Sequence, residues 1–229
     1  MRSSRLLTRR EAIGAVSAAG AAFAFGCGDT PTSPTSTAAS ATASTNAACA
    51  VTPSETIGPF PSLVDLFRSD IREGKSGTLL ALTIRVVNAA NGCAAVPNAN
   101  VEIWHVDAAG DYSQYGAQRT QTFLRGIQTS SANGEVTFTT IYPGWYQGRA
   151  THIHVEVTMA GRSVKATQIA FPESINNSVH MSGVYASRGT NPMSNLSDGI
   201  FSDSLSSEIV TPTGSAAGYA ATFQVAISA

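Results

Sequence analysis

Residues 151–158 read Thr-His-Ile-His-Val-Glu-Val-Thr, a stretch in which apolar and polar side chains alternate. Successive side chains of a β-strand point to opposite faces, so residues i and i+2 share a face. His152 and His154 would therefore project to one side of a strand and Ile153 to the other. The pattern predicts a strand that packs one face into a core and carries two imidazoles on the other.

Further stretches of the same kind extend along the chain, and turn residues separate them. The stretches are residues 79–87, 101–104, 134–141 and 222–227, and the turn pairs include Asn91-Gly92, Asn133-Gly134, Pro143-Gly144 and Ala160-Gly161. Short strands at this spacing predict an all-β domain, an antiparallel β-sandwich. Residues 172–218 lack periodicity and are expected to form long loops with few short helices. A weak helical pattern runs through residues 55–72.

The charge of the chain argues against one class of function. The 229 residues carry a formal net charge of −1, and only 13% of them are charged. Nucleic-acid-binding domains usually carry a basic patch or stripe, and this sequence has none. We therefore expect no nucleic-acid partner.

The N-terminal region resembles a targeting segment rather than part of a domain. Residues 1–27 have the layout of a twin-arginine export signal, with Arg9-Arg10 before a weakly apolar stretch. Residues 24–27, Ala-Phe-Gly-Cys, resemble a lipoprotein cleavage box that would lipidate Cys27; ordinary cleavage without a lipid is the alternative. Residues 28–48 are rich in Ser, Thr and Ala and predict a disordered linker. We expect an exported domain over residues 49–229, periplasmic or at the cell surface, with a membrane tether if Cys27 is lipidated.

Two cysteines remain in the predicted domain, Cys49 and Cys93. In an exported protein such a pair predicts a disulfide. Closing a loop of this length would stabilise the fold by about 3–4 kcal/mol. Two buried free thiols are the alternative.

Two tyrosines and an arginine accompany the histidine pair. Tyr112 follows Gly110-Asp111, and Tyr146 ends the turn Pro-Gly-Trp-Tyr at residues 143–146. A His-x-His pair alone binds a metal in only a minority of cases. Phenolate is a hard anionic ligand and imidazole a neutral one, and together they suit a ferric ion better than zinc or calcium. Arg149 could serve the same site or pair with a carboxylate such as Glu156.

Five motifs, in order, resemble those of the intradiol ring-cleavage dioxygenases, which include the catechol and protocatechuate dioxygenases. The matching stretches are residues 52–60, 101–113, 123–128, 142–154 and 167–171. Several motifs that agree in order are more specific than any one of them. The resemblance covers roughly residues 49–172 and is weaker in the tail.

The resemblance implies a non-haem Fe(III) site with four protein ligands, namely Tyr112, Tyr146, His152 and His154. It implies that Tyr146 also acts as a general base, that Arg149 adjoins the bound ring and that Gln168 lines the same pocket. The implied reaction uses O2 to cleave a catechol-type ring between its two hydroxylated carbons and gives a cis,cis-muconate-type diacid. Family members often associate, so an oligomer is also implied.

The sequence departs from the well-studied members of this family at two places near the site. The segment between Tyr146 and His152 is shorter, and Val106 stands where many of the exported members have a cysteine. The short turn should reshape the pocket, so the ring substituents that the protein accepts stay open.

Thr56, Gly58 and Pro59 match a segment of the family that forms a wall of the cavity.

Other assignments compete with these. Tyr142 and Tyr115 are rivals for the tyrosinate roles, His105 fits a buried, hydrogen-bonded histidine better than a ligand, and His180 is expected in solvent. The competing function is a tethered, non-catalytic β-sandwich binding module with a degenerate or zinc-filled site. A zinc hydrolase ranks lower, because no carboxylate stands beside the His-x-His pair as zinc peptidase motifs require.

Overall fold

The computed structural model describes residues 49–229. The predicted export signal with Cys27 and the predicted linker at residues 28–48 lie outside the described residues. Among residues 49–229, no helix has the length and apolar character needed to cross a bilayer.

Within the described residues, the chain forms strands joined by turns, long loops and two short α-helices. The strands are β1 (Leu79–Asn88), β2 (Ala94–Ala95), β3 (Asn100–Trp104), β4 (Arg125–Thr129), β5 (Glu135–Ile141), β6 (His152–Met159), β7 (Arg162–Ala170), β8 (Thr213–Ser215) and β9 (Gly218–Ile227). The α-helices are α1 (Glu173–His180) and α2 (Leu205–Glu208). Short 3₁₀ turns occur at Ala89–Asn91, Gly116–Gln118, Gly183–Tyr185 and Asn195–Ser197.

The strands make two sheets with the main apolar core between them. One sheet has the order β4-β3-β6-β7, and the other has the order β2-β1-β9-β8 with β5 also paired to β1. The core takes residues from both sheets, such as Leu82 of β1 and Ile153 of β6, each fully buried. Every strand pair is antiparallel except β1 with β9, which run parallel near the two ends of the described chain. The predicted all-β sandwich is confirmed.

Strand β6 separates the core from the opposite face of its sheet. Ile153 and Val155 are fully buried within the inter-sheet core. His154 lies on the other face, level with Trp104 on β3 and Gln168 on β7. The predicted alternation therefore holds, and it places a row of polar and aromatic side chains on the outer face of the sheet.

The helix suggested by the pattern at residues 55–72 is wrong. The segment is extended, and its Glu55 N–H donates to the carbonyl of Ala166 at 2.9 Å. Pro59 and Pro61 lack the N–H that a helix interior needs, and each restricts the residue before it to extended conformations. Residues 52–62, which we call the N-terminal strap, instead run alongside the sheet with polar and aromatic side chains.

The region at residues 172–218 is loop-rich with short helices, as predicted, but His180 is not in solvent. It ends α1 at 1% exposure, and its Nε2 lies 3.2 Å from the carbonyl oxygen of Pro143. The sequence shows no sign of this contact, because the two residues are 37 positions apart.

The predicted disulfide is present. Cys49 and Cys93 are bonded, with 5.9 Å between their Cα atoms and a sequence separation of 44 residues. The bond attaches the start of the described chain to the turn after β1. Thr52 continues this attachment, since its N–H donates to the carbonyl of Ala226 on β9 at 2.9 Å.

Two glutamates face each other on the outer face of the β3–β6 pair. Glu102 and Glu156 are direct cross-strand partners in the antiparallel register. Burial and the charge of Glu156 raise the pKa of Glu102 to about 6, against a hydrogen bond from Ser62 that lowers it. Like charges placed directly opposite each other destabilise a sheet, so this pair costs the fold stability once Glu102 ionises.

Replacement of this carboxylate should stabilise the protein only above a certain pH. The unfolded chain releases the proton near the ordinary value of 4.5 and the folded chain near 6, so wild-type stability falls as the pH rises through this window. Glu102→Gln should raise the free energy of unfolding by about 1–2 kcal/mol at pH 8 and leave it unchanged near pH 4. Urea denaturation at both pH values measures this, with Glu135→Gln on the exposed face of β5 as the control. Equal gains at both pH values would contradict the assignment.

Candidate active site

The outer face of β6 presents two imidazoles toward one point. His152 and His154 are 3% and 2% exposed. The ring of His154 stacks on Trp104 with 4.8 Å between centroids and an interplanar angle of 2°. This stacking fixes the orientation of the ring, and the strand geometry places His152 beside it.

Three polar atoms converge at this point. The hydroxyl oxygen of Tyr112 lies 3.4 Å from Nε2 of His152 and 3.2 Å from Nε2 of His154. The two Nε2 atoms are 3.2 Å apart. Nδ1 of His152 lies 2.6 Å from the carbonyl oxygen of Ala150. A carbonyl can only accept, so Nδ1 carries the proton and Nε2 presents its lone pair to the shared point.

Burial makes these groups neutral in the absence of a cation. Burial and the positive charge of Arg149 together lower the pKa of His152 to about 3. Burial and the neighbouring His152 lower the pKa of His154 well below its usual range. Burial also raises the pKa of the Tyr112 phenol, as does the nearby Tyr146. The lone pair on Nε2 of His152 thus faces a point shared with Nε2 of His154 and the hydroxyl of Tyr112, a poorly solvated position at which a bound cation would be stabilised.

Tyr146 completes the set of four rings. Its ring centroid lies 5.7 Å from that of Tyr112 and 5.6 Å from that of His152. The turn that carries Tyr146 packs closely on the Tyr112 hairpin, because a Cβ at Gly144 would overlap the carbonyl oxygen of Asp107. The structure therefore brings together the four residues that the sequence analysis singled out as metal ligands.

The N-terminal strap closes the site from above the sheet. A Cβ at Gly58 would lie 3.1 Å from Cε1 of His154, and the φ of Gly58 is +75°. Only glycine adopts this conformation at low cost and so close to an imidazole. Phe60 stacks on Tyr112 with 4.8 Å between ring centroids. These contacts place the predicted 56–59 segment at the wall of the site.

Arg149 and Gln168 are joined beside the four rings. An NH2 group of Arg149 donates to Oε1 of Gln168 at 2.6 Å, and Nε of Arg149 donates to Oδ2 of Asp198 at 2.8 Å. Gln168 is fully buried, and its amide donates to the carbonyl of Thr56 in the strap at 2.9 Å. The carboxylate partner of Arg149 is thus Asp198, not Glu156.

Comparisons with known proteins match this fold and these motifs. Residues 61–186 match a family model described as dioxygenase. A crystallised dioxygenase is 30% identical with a TM-score of 0.74, and the match covers 79% of this chain and 95% of that one. The intradiol ring-cleavage dioxygenase from Tetranychus urticae is 29% identical with a TM-score of 0.71 over the same shares of the two chains. The dioxygenase domain of a carbohydrate-binding fusion protein from Streptomyces sp. SirexAA-E is 25% identical with a TM-score of 0.61, over 78% of this chain and 99% of that one.

The chain belongs to the intradiol ring-cleavage dioxygenase family. Membership agrees with the ordered motifs and with the all-β sandwich that carries them. It also gives the broad class of the protein, a ring-cleavage dioxygenase.

The sequence analysis of this dioxygenase missed Asp198. Asp198 is 2% exposed, and its Oδ2 also accepts from the Ala150 N–H at 2.7 Å. Burial alone would raise its pKa, but donors from Ile200, Ala150 and Arg149 bring the pKa below its usual value. Asp198 therefore holds both Arg149 and Ala150, the residue whose carbonyl orients His152. No local pattern marks it, because it lies 49 residues from Arg149 in a loop-rich region.

Arg125, a buried arginine in the motif at residues 123–128, lies behind the tyrosines, and its role could not be predicted from the sequence. Arg125 is fully buried, and its guanidinium lies 5.7 Å from the centroid of the Tyr112 ring. Its nitrogens donate to the carbonyls of Ser113 and Phe60 and to the Ser113 hydroxyl. It thus ties the Tyr112 hairpin to the strap of the dioxygenase.

The rival residues have structural partners elsewhere. The Tyr142 hydroxyl donates to Asn176 at 2.7 Å from within the inter-sheet core. The Tyr115 hydroxyl donates to the carbonyl of Pro61 at 2.7 Å. His105 is fully buried with both ring nitrogens bonded, as expected, and burial lowers its pKa to about 4.

Removal of the Asp198 charge should destabilise this dioxygenase. Asp198→Asn leaves Arg149 without its anion in a largely buried position and should cost about 3 kcal/mol of unfolding free energy. Because the folded-state pKa of Asp198 is lowered, its contribution is present above pH ~4 and the deficit should shrink as the pH falls below that value. Urea unfolding at pH 7 and pH 3 measures both effects. Asp203→Asn, which changes an exposed neighbour, is the control. Equal urea denaturation midpoints for the two variants at pH 7 would contradict the stabilising role of Asp198.

Proposed function

We propose that this protein is a ferric intradiol dioxygenase that cleaves a catechol-type ring between its hydroxylated carbons with O2 and gives a cis,cis-muconate-type diacid. The observation that carries the proposal is the convergence of Tyr112, His152 and His154 within 3.4 Å of one another, with Tyr146 adjoining. Family membership supports the reaction class.

The donor set at this point fits Fe(III). Two neutral imidazole nitrogens and two phenol oxygens surround it, and two phenolates would offset much of a 3+ charge. The proton on Nδ1 of His152 is held by Ala150 at 2.6 Å, so Nε2 is free to bind. Binding a cation lowers the pKa of a coordinated group and would overcome the effect of burial on the two phenols. Tyr112, Tyr146, His152 and His154 would hold the ion.

The bound ion would supply Lewis acidity for the catechol oxygens and the redox capacity for a reaction with O2. The chain supplies the rest. Tyr146 is the half-buried member of the set, so its phenolate would be best placed to accept a substrate proton as general base. Burial raises its pKa, while the charge and a hydrogen bond of Arg149 lower it, so Arg149 stabilises the anionic form.

Arg149 and Gln168 would act on charge that develops on the ring. Arg149 is held by Asp198 and Gln168 before any substrate binds, so its charge needs no reorganisation during the reaction. Trp104, Phe60 and the close approach of Gly58 exclude water from the imidazoles. A water-poor site strengthens the interaction of a fixed cation with a developing oxyanion.

The test is the visible spectrum and oxygen uptake of the iron-loaded full-length protein. Charge transfer from phenolate to Fe(III) should give a visible band that changes when catechol is added, and uptake should be one O2 per catechol. Tyr146→Phe should remove part of the band and lower kcat/KM by about 10² or more. Tyr219→Phe, in the other sheet, is the matched control for loss of a phenol.

Several outcomes would count against the proposal. A colourless iron complex without uptake across catechol, protocatechuate and hydroxyquinol would favour the non-catalytic binding module. A site that retains Zn2+ and takes up no Fe(III) would do the same. An unchanged band in Tyr146→Phe would move the tyrosinate role to another residue.

We also propose that the enzyme is exported and tethered by a lipid on Cys27. The disulfide between Cys49 and Cys93 supports an oxidising compartment, where such bonds persist. Cys27→Ser should shift the protein from the membrane fraction to the soluble extracytoplasmic fraction, and Cys93→Ser should not. Unchanged fractionation of Cys27→Ser would overturn the tether.

A further inference from the structure

A small cavity opens directly onto the two candidate tyrosine ligands. Its volume is about 210 Å³, and its lining includes Tyr112 and Tyr146 together with Phe60, Asp111, Tyr115, Ala117 and Gln118. Pockets for drug-sized ligands usually measure about 300–1,000 Å³. The cavity therefore fits one aromatic ring or the substituent of such a ring.

Aromatic faces make up much of the cavity wall. Phe60 stacks on Tyr112, and Tyr115 meets Phe60 edge-on with 5.2 Å between centroids. The Tyr115 hydroxyl is already bonded to the carbonyl of Pro61, so Tyr115 offers its ring rather than its hydroxyl. Flat aromatic ligands pack well in such surroundings. Gln118 at the rim carries an amide that can bond an uncharged polar substituent.

The charge of the wall is one-sided. Among the residues that line the cavity, Asp111 alone carries a formal charge at neutral pH. Asp111 is exposed at the rim, and its backbone N–H donates to Asp107 at 3.0 Å. An anionic substituent in this cavity would meet a like charge and find no basic side chain on the wall.

Three arginines near the cavity are committed to protein partners. Arg188, beside Gly110, donates to the carbonyl of Ala109 and lies over the ring of Trp145, 4.3 Å from its centroid. Arg125 lies behind the rings of Tyr112 and Tyr115, fully buried, and donates to Ser113 and Phe60. Arg149 already has the carboxylate of Asp198 as its counter-ion at 2.8 Å. None of these three arginines lines the cavity, and each guanidinium already has protein partners, so a ligand carboxylate in the cavity would have no basic side chain directly on the wall.

We propose that this cavity receives the ring substituent of the substrate and selects catechols whose substituent is uncharged or cationic over those that bear a carboxylate. The catechol hydroxyls would point to the four candidate ligands, and the substituent would lie between Phe60, Tyr115 and Gln118. Asp111 is the residue that determines this specificity. The inference rests on the proposed function, since it assumes that a catechol is the substrate.

The sharpest test compares two ligands of nearly the same shape. Protocatechuate carries a carboxylate, and its carboxamide carries an uncharged group in the same place. With the iron-loaded full-length protein, kcat/KM for the carboxamide should exceed that for protocatechuate by about tenfold or more, as expected for one like charge at short range in a partly screened site. Dopamine, with a cationic side chain, should also exceed protocatechuate.

Variants of the wall should change this ratio in opposite directions. Asp111→Asn should bring the kcat/KM ratio close to the ratio of the intrinsic reactivities of the two compounds, because the like charge is gone. Ala117→Lys should invert the ratio by adding a cation to the wall. Asp65→Asn, an exposed acidic residue that does not line the cavity, should leave the ratio unchanged. The uncleavable monophenols parahydroxybenzoate and parahydroxybenzamide supply a readout without turnover, and their Kd values from calorimetry should show the same preference and the same response to Asp111→Asn.

The outcomes separate this inference from the proposed function. A protein that turns over neither catechol nor any substituted catechol defeats the proposed function. A protein that turns over catechol, but treats protocatechuate and its carboxamide alike or shows the same ratio in Asp111→Asn and Ala117→Lys, overturns the specificity assigned here and leaves the reaction in place.

Discussion

The alternation of β6 is the constraint on which the rest of this structure depends. Ile153 and Val155 are fully buried between the two sheets, so the strand cannot shift by one residue without turning its aliphatic side chains outward. The same register places His152 and His154 on the opposite face at fixed spacing. A candidate metal site on such a strand inherits the precision of the core, because the hydrophobic packing that stabilises the fold also positions the imidazoles.

The second determinant is the way in which distant segments cover this face. The N-terminal strap brings Phe60 onto Tyr112 and Gly58 onto His154. The loop after α1 brings Asp198 to Arg149. These covers remove water from the imidazoles, and this burial lowers the pKa of His152 to about 3 and that of His154 well below its usual range, so both rings are neutral. Burial of the imidazole nitrogens would be unfavourable in an apolar core, but here a cation bound at the shared point could interact with them.

Much of the fold and of the candidate site could be predicted from the sequence, and the failures have clear physical causes. The strands were predictable because a half-buried strand shows its period within a few residues. The weak helical pattern at residues 55–72 does not correspond to a helix, because Pro59 and Pro61 prevent helix formation despite the spacing of the apolar residues. His180 and Asp198 were missed or misplaced because each is buried by a partner 37 or 49 residues away. No local rule reports such contacts.

The sequence by itself determined that this chain is a β-sandwich with two imidazoles on one strand face, and its ordered motifs indicated the family. Those properties are local or repeat at short range, so residue order is enough to express them. Only the folded structure shows that Asp198 rather than Glu156 balances Arg149, that Tyr142 belongs to the core, and that Asp111 is the one charged side chain among the described residues that line the cavity beside Tyr112 and Tyr146. These three properties depend on contacts between residues that are distant in sequence, which form when the loops fold back over the sheet. Such contacts determine the burial and the charge of each side chain at the site.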